Sequence, residues 1–304
     1  MSSPYSGIMP VAPVPFHEDG SVDYEGNKRV LDCMIDQGVD GICILANYSE
    51  QFLLTDEERS TLTRQSLEHV AARVPVIVTT SHFSTDIAAA RGKEAAQMGA
   101  SMLMMMPPYH GRFGAGPTEI IEHFDAVAKA ADLPIMVQDA PLSGVELSVS
   151  LLVELCAKVP LVQYFKIEVP FAAAKLRTLI AQGGAAIKGP FDGEEAITLM
   201  ADLDAGATGT MTSALIPDLI RSIVVAHREG RRVDALSQWQ HVLPTINFEN
   251  RQCGLRACKV AMKEGGVIKS DRVRHPLKQL HPDTKAGLLE LLTLLDPIVL
   301  RWGK

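Results

Sequence analysis

Gly38-Val39-Asp40-Gly41-Ile42-Cys43-Ile44-Leu45-Ala46 joins the end of a helix-period stretch to a short, wholly apolar run. Gly38 permits the left-handed conformation that closes a helix. The run that follows has no polar face to turn toward water, which is the pattern of a parallel strand covered on both sides. The same junction returns at Gly99-Ala100-Ser101 and at Gly206-Ala207-Thr208-Gly209, a weak internal repeat. Elsewhere a proline introduces the apolar run, at Val74-Pro75-Val76, Leu133-Pro134-Ile135 and Val159-Pro160-Leu161, where a helix cannot continue.

Extending this reading along the chain predicts strands over 7–11, 41–46, 76–80, 102–106, 135–139, 162–168, 185–188 and 208–212, separated by helix-period stretches. Thr55-Asp56-Glu57-Glu58 and Ser84-Thr85-Asp86 mark helix starts, with a capping hydroxyl followed by acids in the first turn. Eight strict βα units imply an α/β fold in which the sheet closes into a (β/α)8 TIM barrel, over residues 1–229. Beyond that point the pattern is helical only, over 233–242, 250–263 and 284–300, which predicts a C-terminal helical extension of residues 230–304 packed on the barrel. No G-x-G-x-x-G follows a strand, so a dinucleotide-binding reading fails.

The chain has 304 residues, 47% of them hydrophobic and 21% charged, enough apolar side chain for a large core. The net charge of -7 comes without a basic block, which argues against a nucleic-acid partner. No apolar run reaches the roughly 18 residues of a membrane span, and the start has no basic segment leading into an apolar one; a cytoplasmic protein is expected. Five scattered cysteines without a C-x-x-C pair point to reduced, buried thiols, not a disulfide framework. His82 and His123 have no ligand spacing, so neither a metal nor a cofactor is expected. Met102, Met104, Met105 and Met106 read as strand core.

In a TIM barrel the chemistry sits at the carboxyl ends of the strands. The polar residues there are Asn47, Tyr48, Ser49 and Glu50; Thr80, Ser81 and His82; Tyr109 and His110; Gln138 and Asp139; Lys166 and Glu168; Lys188; and Thr212 and Ser213. Lys166 lies in the apolar strand Val162-Gln163-Tyr164-Phe165-Lys166-Ile167-Glu168, where an unpaired ammonium is costly to bury. Desolvation is expected to lower its pKa toward neutrality and leave a nucleophilic amine able to condense with a ketone. Strand period puts Glu168 on the same face. A buried ion pair without chemistry is the alternative. Lys188, in Ala185-Ala186-Ile187-Lys188-Gly189-Pro190, is a rival lysine that pattern alone does not separate from Lys166.

Gly38-Val39-Asp40-Gly41, Leu54-Thr55-Asp56-Glu57-Glu58-Arg59, Pro107-Pro108-Tyr109, Leu133-Pro134-Ile135 and the strand-6 lysine together resemble the dihydrodipicolinate synthase and N-acetylneuraminate lyase family of class I aldolases, over essentially the whole chain. The resemblance implies that Lys166 is the Schiff-base lysine, leaving Lys188 structural or substrate-orienting. It also implies a homo-oligomer, commonly a tetramer built from dimers, with Tyr109 packed at a subunit contact. Three departures argue against the synthase reaction. The family's Gly-Thr-Thr-Gly-Glu is Ala46-Asn47-Tyr48-Ser49-Glu50, its strand-5 tyrosine is Gln138 followed by Asp139, and the second tyrosine of its Pro-Tyr-Tyr is His110. The arginine usual after strand 5 is also missing from Pro141-Leu142-Ser143-Gly144.

By that resemblance the strand-5 tyrosine is the base for aldol cleavage, and a glutamine amide does not titrate near neutral pH. The same iminium acidifies C3, however, and a base there lets a C4 hydroxyl leave as water. Glu168, where the family usually has a small residue, is placed to move both protons. The pattern resembles the family's dehydratase branch, which implies conversion of a 2-keto-3-deoxy sugar acid such as L-2-keto-3-deoxyarabonate to 2,5-dioxopentanoate, with Lys166, Glu168 and Gln138 catalytic. Tyr48 and Ser49 are then expected to hold the substrate carboxylate, while Asn47 and His110 line the hydroxyl end. A retro-aldolase releasing pyruvate is the competing enzyme. A barrel that binds 2-oxo acids without turnover is the competing non-enzyme.

Overall fold

The computed structural model describes residues 5–108 and 114–304, so Tyr109 and His110 lie outside the described residues. Eight parallel strands run in the order β1-β8-β7-β6-β5-β4-β3-β2. They are β1 (Gly7–Ile8), β2 (Ile42–Ile44), β3 (Val76–Thr79), β4 (Met102–Met105), β5 (Ile135–Asp139), β6 (Val162–Ile167), β7 (Gly189–Asp192) and β8 (Gly209–Thr210). A parallel bridge from Val11 to Cys43, with Ala12 N–H donating to the Cys43 carbonyl at 2.8 Å, joins β1 to β2 and closes the barrel. The fold is therefore the expected (β/α)8 barrel.

Helices α1 (Tyr24–Asp36), α2 (Asp56–Val70), α3 (Thr85–Gln97), α4 (Pro117–Ala131), α5 (Val149–Lys158), α6 (Ala172–Gly183), α7 (Leu199–Asp204) and α8 (Pro217–Arg228) alternate with the strands. Their ends follow the sequence signals. Thr55 and Glu58 form a reciprocal capping box at α2, Ser84 caps α3, and Gly38, Gly99 and Gly206 take φ of 79°, 95° and 102° where helices close. Strand alternation divides the apolar side chains into two layers. Met9, Cys43, Ile77, Met102, Met104, Met136, Tyr164, Phe191 and Met211 fill the barrel interior, while Leu103, Met105, Val137 and Phe165 face the surrounding helices. All five cysteines are free and buried.

One strand differs from expectation. The run 185–188 is not β7: Gly184–Ala186 is a 3-10 turn, and the strand begins at Gly189 and includes Pro190. Lys188 is exposed, and its N–H donates to the Gln163 carbonyl at the amino end of the strands, the opposite end of the barrel from the site. It is not a rival to Lys166.

After Arg228 come α9 (Arg232–Phe248), a π-type turn (Glu249–Cys253), α10 (Arg256–Glu264) and α11 (Pro282–Leu295). This region reaches back to the barrel mouth. Lys259 of α10 pairs with Glu50, both side chains being 0% exposed, and also donates to the Arg272 carbonyl at 3.0 Å. The Arg274 N–H donates to Glu50 Oε2 at 2.8 Å, and its guanidinium binds Glu58 and the Leu53 carbonyl. Among the described residues, no helix is long and apolar enough to cross a membrane.

Candidate active site

The site is built on the paired ends of β5, β6 and β7, where Gln138, Lys166 and Phe191 occupy neighbouring positions in the strand register. Lys166 is 3% exposed and its Nζ is paired with Glu168, two residues further along the same strand face. Gln138 is 0% exposed, and its Nε2 donates to both Glu168 oxygens, at 3.3 and 3.1 Å. One amide thus fixes the carboxylate that faces the lysine. Gln138 Oε1 is buried without a hydrogen-bond partner, an acceptor left for a substrate hydroxyl or water.

The electrostatics correct one expectation. Burial does depress the Lys166 amine, but the charges of Glu168 and Glu195 outweigh it and hold its pKa above the ordinary lysine value. Glu168 on the same face, joined by Glu195, which the apolar strand pattern does not reveal, reverses the direction. Resting Lys166 is an ammonium, and it becomes a nucleophile by passing a proton to an adjacent carboxylate.

Asn47, Tyr48 and Ser49 form a 3-10 turn after β2, ended by Glu50 at φ 57°. The Ser49 hydroxyl donates to the Ala12 carbonyl at 2.6 Å and its N–H to the Ala46 carbonyl at 2.9 Å, so both donors are engaged inside the turn. Asn47 Oδ1 accepts from Gln51 Nε2 at 2.6 Å. Tyr48 is half-buried, and burial, reinforced by the charge of Glu195, raises its pKa. The turn is locked underneath by Glu50 and Lys259.

Two acids at the mouth were absent from the sequence-based candidates. Glu195, beyond β7, is 7% exposed; burial pushes its pKa up to about 7, with Lys166 pulling the other way. Glu249, on the π-type turn of the C-terminal region, is 2% exposed, its Oε1 has no hydrogen-bond partner, and burial pushes its pKa up to about 8. π-type turns occur disproportionately at functional sites. Misplacing β7 hid Glu195, although the polar run Asp192-Gly193-Glu194-Glu195 before a helix was a usable signal.

The other flagged groups lie elsewhere. Asp139 points out of the barrel and pairs with Lys175 of α6 at 2.6 Å, yet burial still raises its pKa. His82 Nδ1 accepts from Ser84 N–H at 2.9 Å, and His123 is buried 2.9 Å from the Thr85 hydroxyl. A cavity of about 520 Å³ lies between α2 and α3, lined by Asp56, Arg59, Asp86 and Arg91, and none of the strand-end groups around Lys166 line it.

Comparison with known proteins places this geometry among relatives. The dihydrodipicolinate synthetase family model matches residues 4–294. L-2-keto-3-deoxyarabonate dehydratase of Azospirillum brasilense is 57% identical over 300 residues, covering 98% of this chain and 97% of that one. A 4-hydroxy-tetrahydrodipicolinate synthase of Gluconacetobacter diazotrophicus is 29% identical over 297 residues, covering 95% and 96%. The solved structure of YagE, a prophage protein from E. coli K12 of the dihydrodipicolinic acid synthase family in complex with pyruvate, superposes with a TM-score of 0.88 at 26% identity, covering 96% of this chain and 99% of that one.

Proposed function

As the chain belongs to the dihydrodipicolinate synthetase family, we propose that it is a hydro-lyase that converts L-2-keto-3-deoxyarabonate to 2,5-dioxopentanoate and water through a Schiff base on Lys166. The observation that carries the reading is the Lys166, Glu168 and Gln138 cluster: an amine beside a carboxylate, with an amide where aldol cleavage needs a titrating group. The 57% identity to a dehydratase, against 29% to a synthase, points the same way.

Glu168 accepts a proton from the Lys166 ammonium, and the amine attacks C2 of the 2-oxo acid. Glu168 returns that proton to the carbinolamine hydroxyl, and loss of water gives the iminium. Its positive charge acidifies C3, and Glu168, oriented by Gln138, removes a C3 proton to give the enamine. The enamine expels the C4 hydroxyl, which takes that proton from Glu168 and leaves as water. A C3=C4 iminium remains. The N–H groups of Asn47 and Tyr48 open the 3-10 turn without an intraturn acceptor and are the donors for the substrate carboxylate. Gln138 Oε1 accepts from a substrate hydroxyl. A shift of the double bond toward C5 and hydrolysis complete the reaction.

The same reading makes the protein a cytoplasmic homo-oligomer. Phe171 and Leu142, 88% and 58% exposed, offer apolar surface to a second copy, and sedimentation velocity measures that association. The reaction is tested by incubating the protein with L-2-keto-3-deoxyarabonate and identifying the products. 2,5-Dioxopentanoate is expected. Rapid pyruvate release would instead establish the retro-aldolase.

A further inference from the structure

Glu168 is the first residue past the regular end of β6, which closes at Ile167, so the strand alone does not fix its place beside Lys166. Two consecutive residues of β5 hold it. Gln138 reaches its carboxylate from inside the barrel, and the Asp139 carbonyl accepts its N–H at 2.9 Å. The chain then leaves the sheet through Val169, Pro170 and Phe171, the last at φ 61° and 88% exposed, before α6 begins at Ala172. Exposed residues of this kind contribute little of their own to holding a connection in place.

Lys175, in the first turn of α6, brings the far end of that connection back to the same residue of β5. Its ammonium lies 2.6 Å from Asp139 Oδ2 and donates to the Leu147 carbonyl, just ahead of α5, at 2.5 Å. Strand alternation points Asp139 outward where Gln138 points inward. Asp139 therefore takes the start of the β6–α6 connection on its carbonyl and the end of it on its carboxylate. Neither local preference nor stability accounts for the pair. An ammonium in the first turn of a helix opposes the helix dipole. The two side chains are 15% and 1% exposed, burial raises the Asp139 pKa even with Lys175 beside it, and a buried ion pair returns little more in attraction than it costs in desolvation. What the pair supplies is a fixed geometry.

Resting on the dehydratase reading for the reaction it serves, we propose that Lys175 and Asp139 are positioning residues: from outside the barrel they clamp both ends of the β6–α6 connection and so fix the Glu168 carboxylate against C3 of the substrate. Neither touches the substrate. Released from the clamp, Glu168 keeps its amide partner Gln138 but loses the fixed main chain that aims it. A displacement of about 1 Å at a reacting group costs up to about 100-fold in rate. The donors for the substrate carboxylate, on the turn after β2, belong to another part of the chain, so binding is spared.

The test compares Lys175→Met, Asp139→Leu and the double variant with the wild type, each measured for kcat and KM with L-2-keto-3-deoxyarabonate, for borohydride trapping on Lys166 and for stability in urea. Lys175→Met should lose about 10- to 100-fold in kcat with KM within about twofold, and should still trap the adduct of the intact substrate. It should also be less stable, because a buried carboxylate is left without its cation. The double variant buries neither charge, so its stability should return toward the wild type while kcat stays low, and it decides the matter should Lys175→Met fail to fold. Wild-type kcat in Lys175→Met or in the double variant would overturn the proposal, and so would a kcat that recovers in step with stability. Exchange of the methyl hydrogens of pyruvate with deuterium from solvent, which needs only the Lys166 imine and Glu168, should fall with kcat in the same variants. If the wild-type protein turns L-2-keto-3-deoxyarabonate into pyruvate, the dehydratase reading is what fails, and that exchange still decides the clamp.

Discussion

Replacing Lys259 with methionine removes the cation that holds the substrate turn from below. The new side chain is similar in length and apolar, so packing is largely kept. Lys259 and Glu50 are both 0% exposed, and without the ammonium Glu50 retains the Arg274 N–H at 2.8 Å but faces no buried cation at Oε1. Breaking one side of a buried ion pair costs about 3–5 kcal/mol, a large share of the roughly 5–15 kcal/mol that stabilises a folded domain. Glu50→Gln leaves Lys259 with the Arg272 carbonyl at 3.0 Å and the Phe16 ring at 4.3 Å. The double variant buries no charge at all. Urea titrations of the four proteins should therefore show Lys259→Met as the least stable, with the double variant recovering about 2 kcal/mol relative to the sum of the singles. Lys259→Met should also raise KM more than it lowers kcat, because Glu50 ends the turn that carries Asn47 and Tyr48. A loss below about 1 kcal/mol, or strict additivity, would refute the clamp.

Glu168→Gln should still form the imine but lose about 100- to 10,000-fold in turnover; near-normal turnover would remove Glu168 from proton transfer. Gln138→Leu frees the Glu168 carboxylate from its amide, and the expected result is kcat down about 10- to 100-fold with unchanged borohydride trapping; an unaffected kcat would leave Gln138 no orienting role. Glu249 keeps its proton to about pH 8 in the fold, against an ordinary value of 4.5. The native state then binds more protons than the unfolded state between those values, so this group's contribution falls as pH rises through the window. From pH 6 to 8 the wild type should lose about 2 kcal/mol more than Glu249→Gln, and parallel pH profiles of urea stability would contradict this. Lys188→Ala should retain full activity, since that side chain is exposed at the far end of the barrel.

Most of the barrel is legible in the sequence because its signals are local. Helix-closing glycines, strand-introducing prolines and the Thr55 to Glu58 box act over a few residues, and the structure uses each as expected. Lys166 and Glu168 share a face through strand period alone. The seventh strand departs from the sequence pattern because Pro190 sits inside it, opposite Phe165, without the N–H that a central strand normally donates. The expected run ends at Lys188, so the strand-end candidates drawn from it do not reach Glu195. Glu249, Asn250 and Lys259 were beyond reach for a different reason. They belong to helices whose sequence pattern says that they pack, but not that they fold back onto the carboxyl ends of the strands. The direction of the Lys166 shift is not legible from strand 6 as an apolar run, because the charges of Glu168 and of Glu195, in the turn beyond β7, act together against burial.

The central claim is a covalent one, that Lys166 carries the substrate. Borohydride reduction in the presence of L-2-keto-3-deoxyarabonate, followed by peptide mass mapping, tests it directly. The adduct should fall on the peptide containing Lys166 and vanish in Lys166→Ala. An adduct on another lysine, or steady turnover without any adduct, would contradict the account.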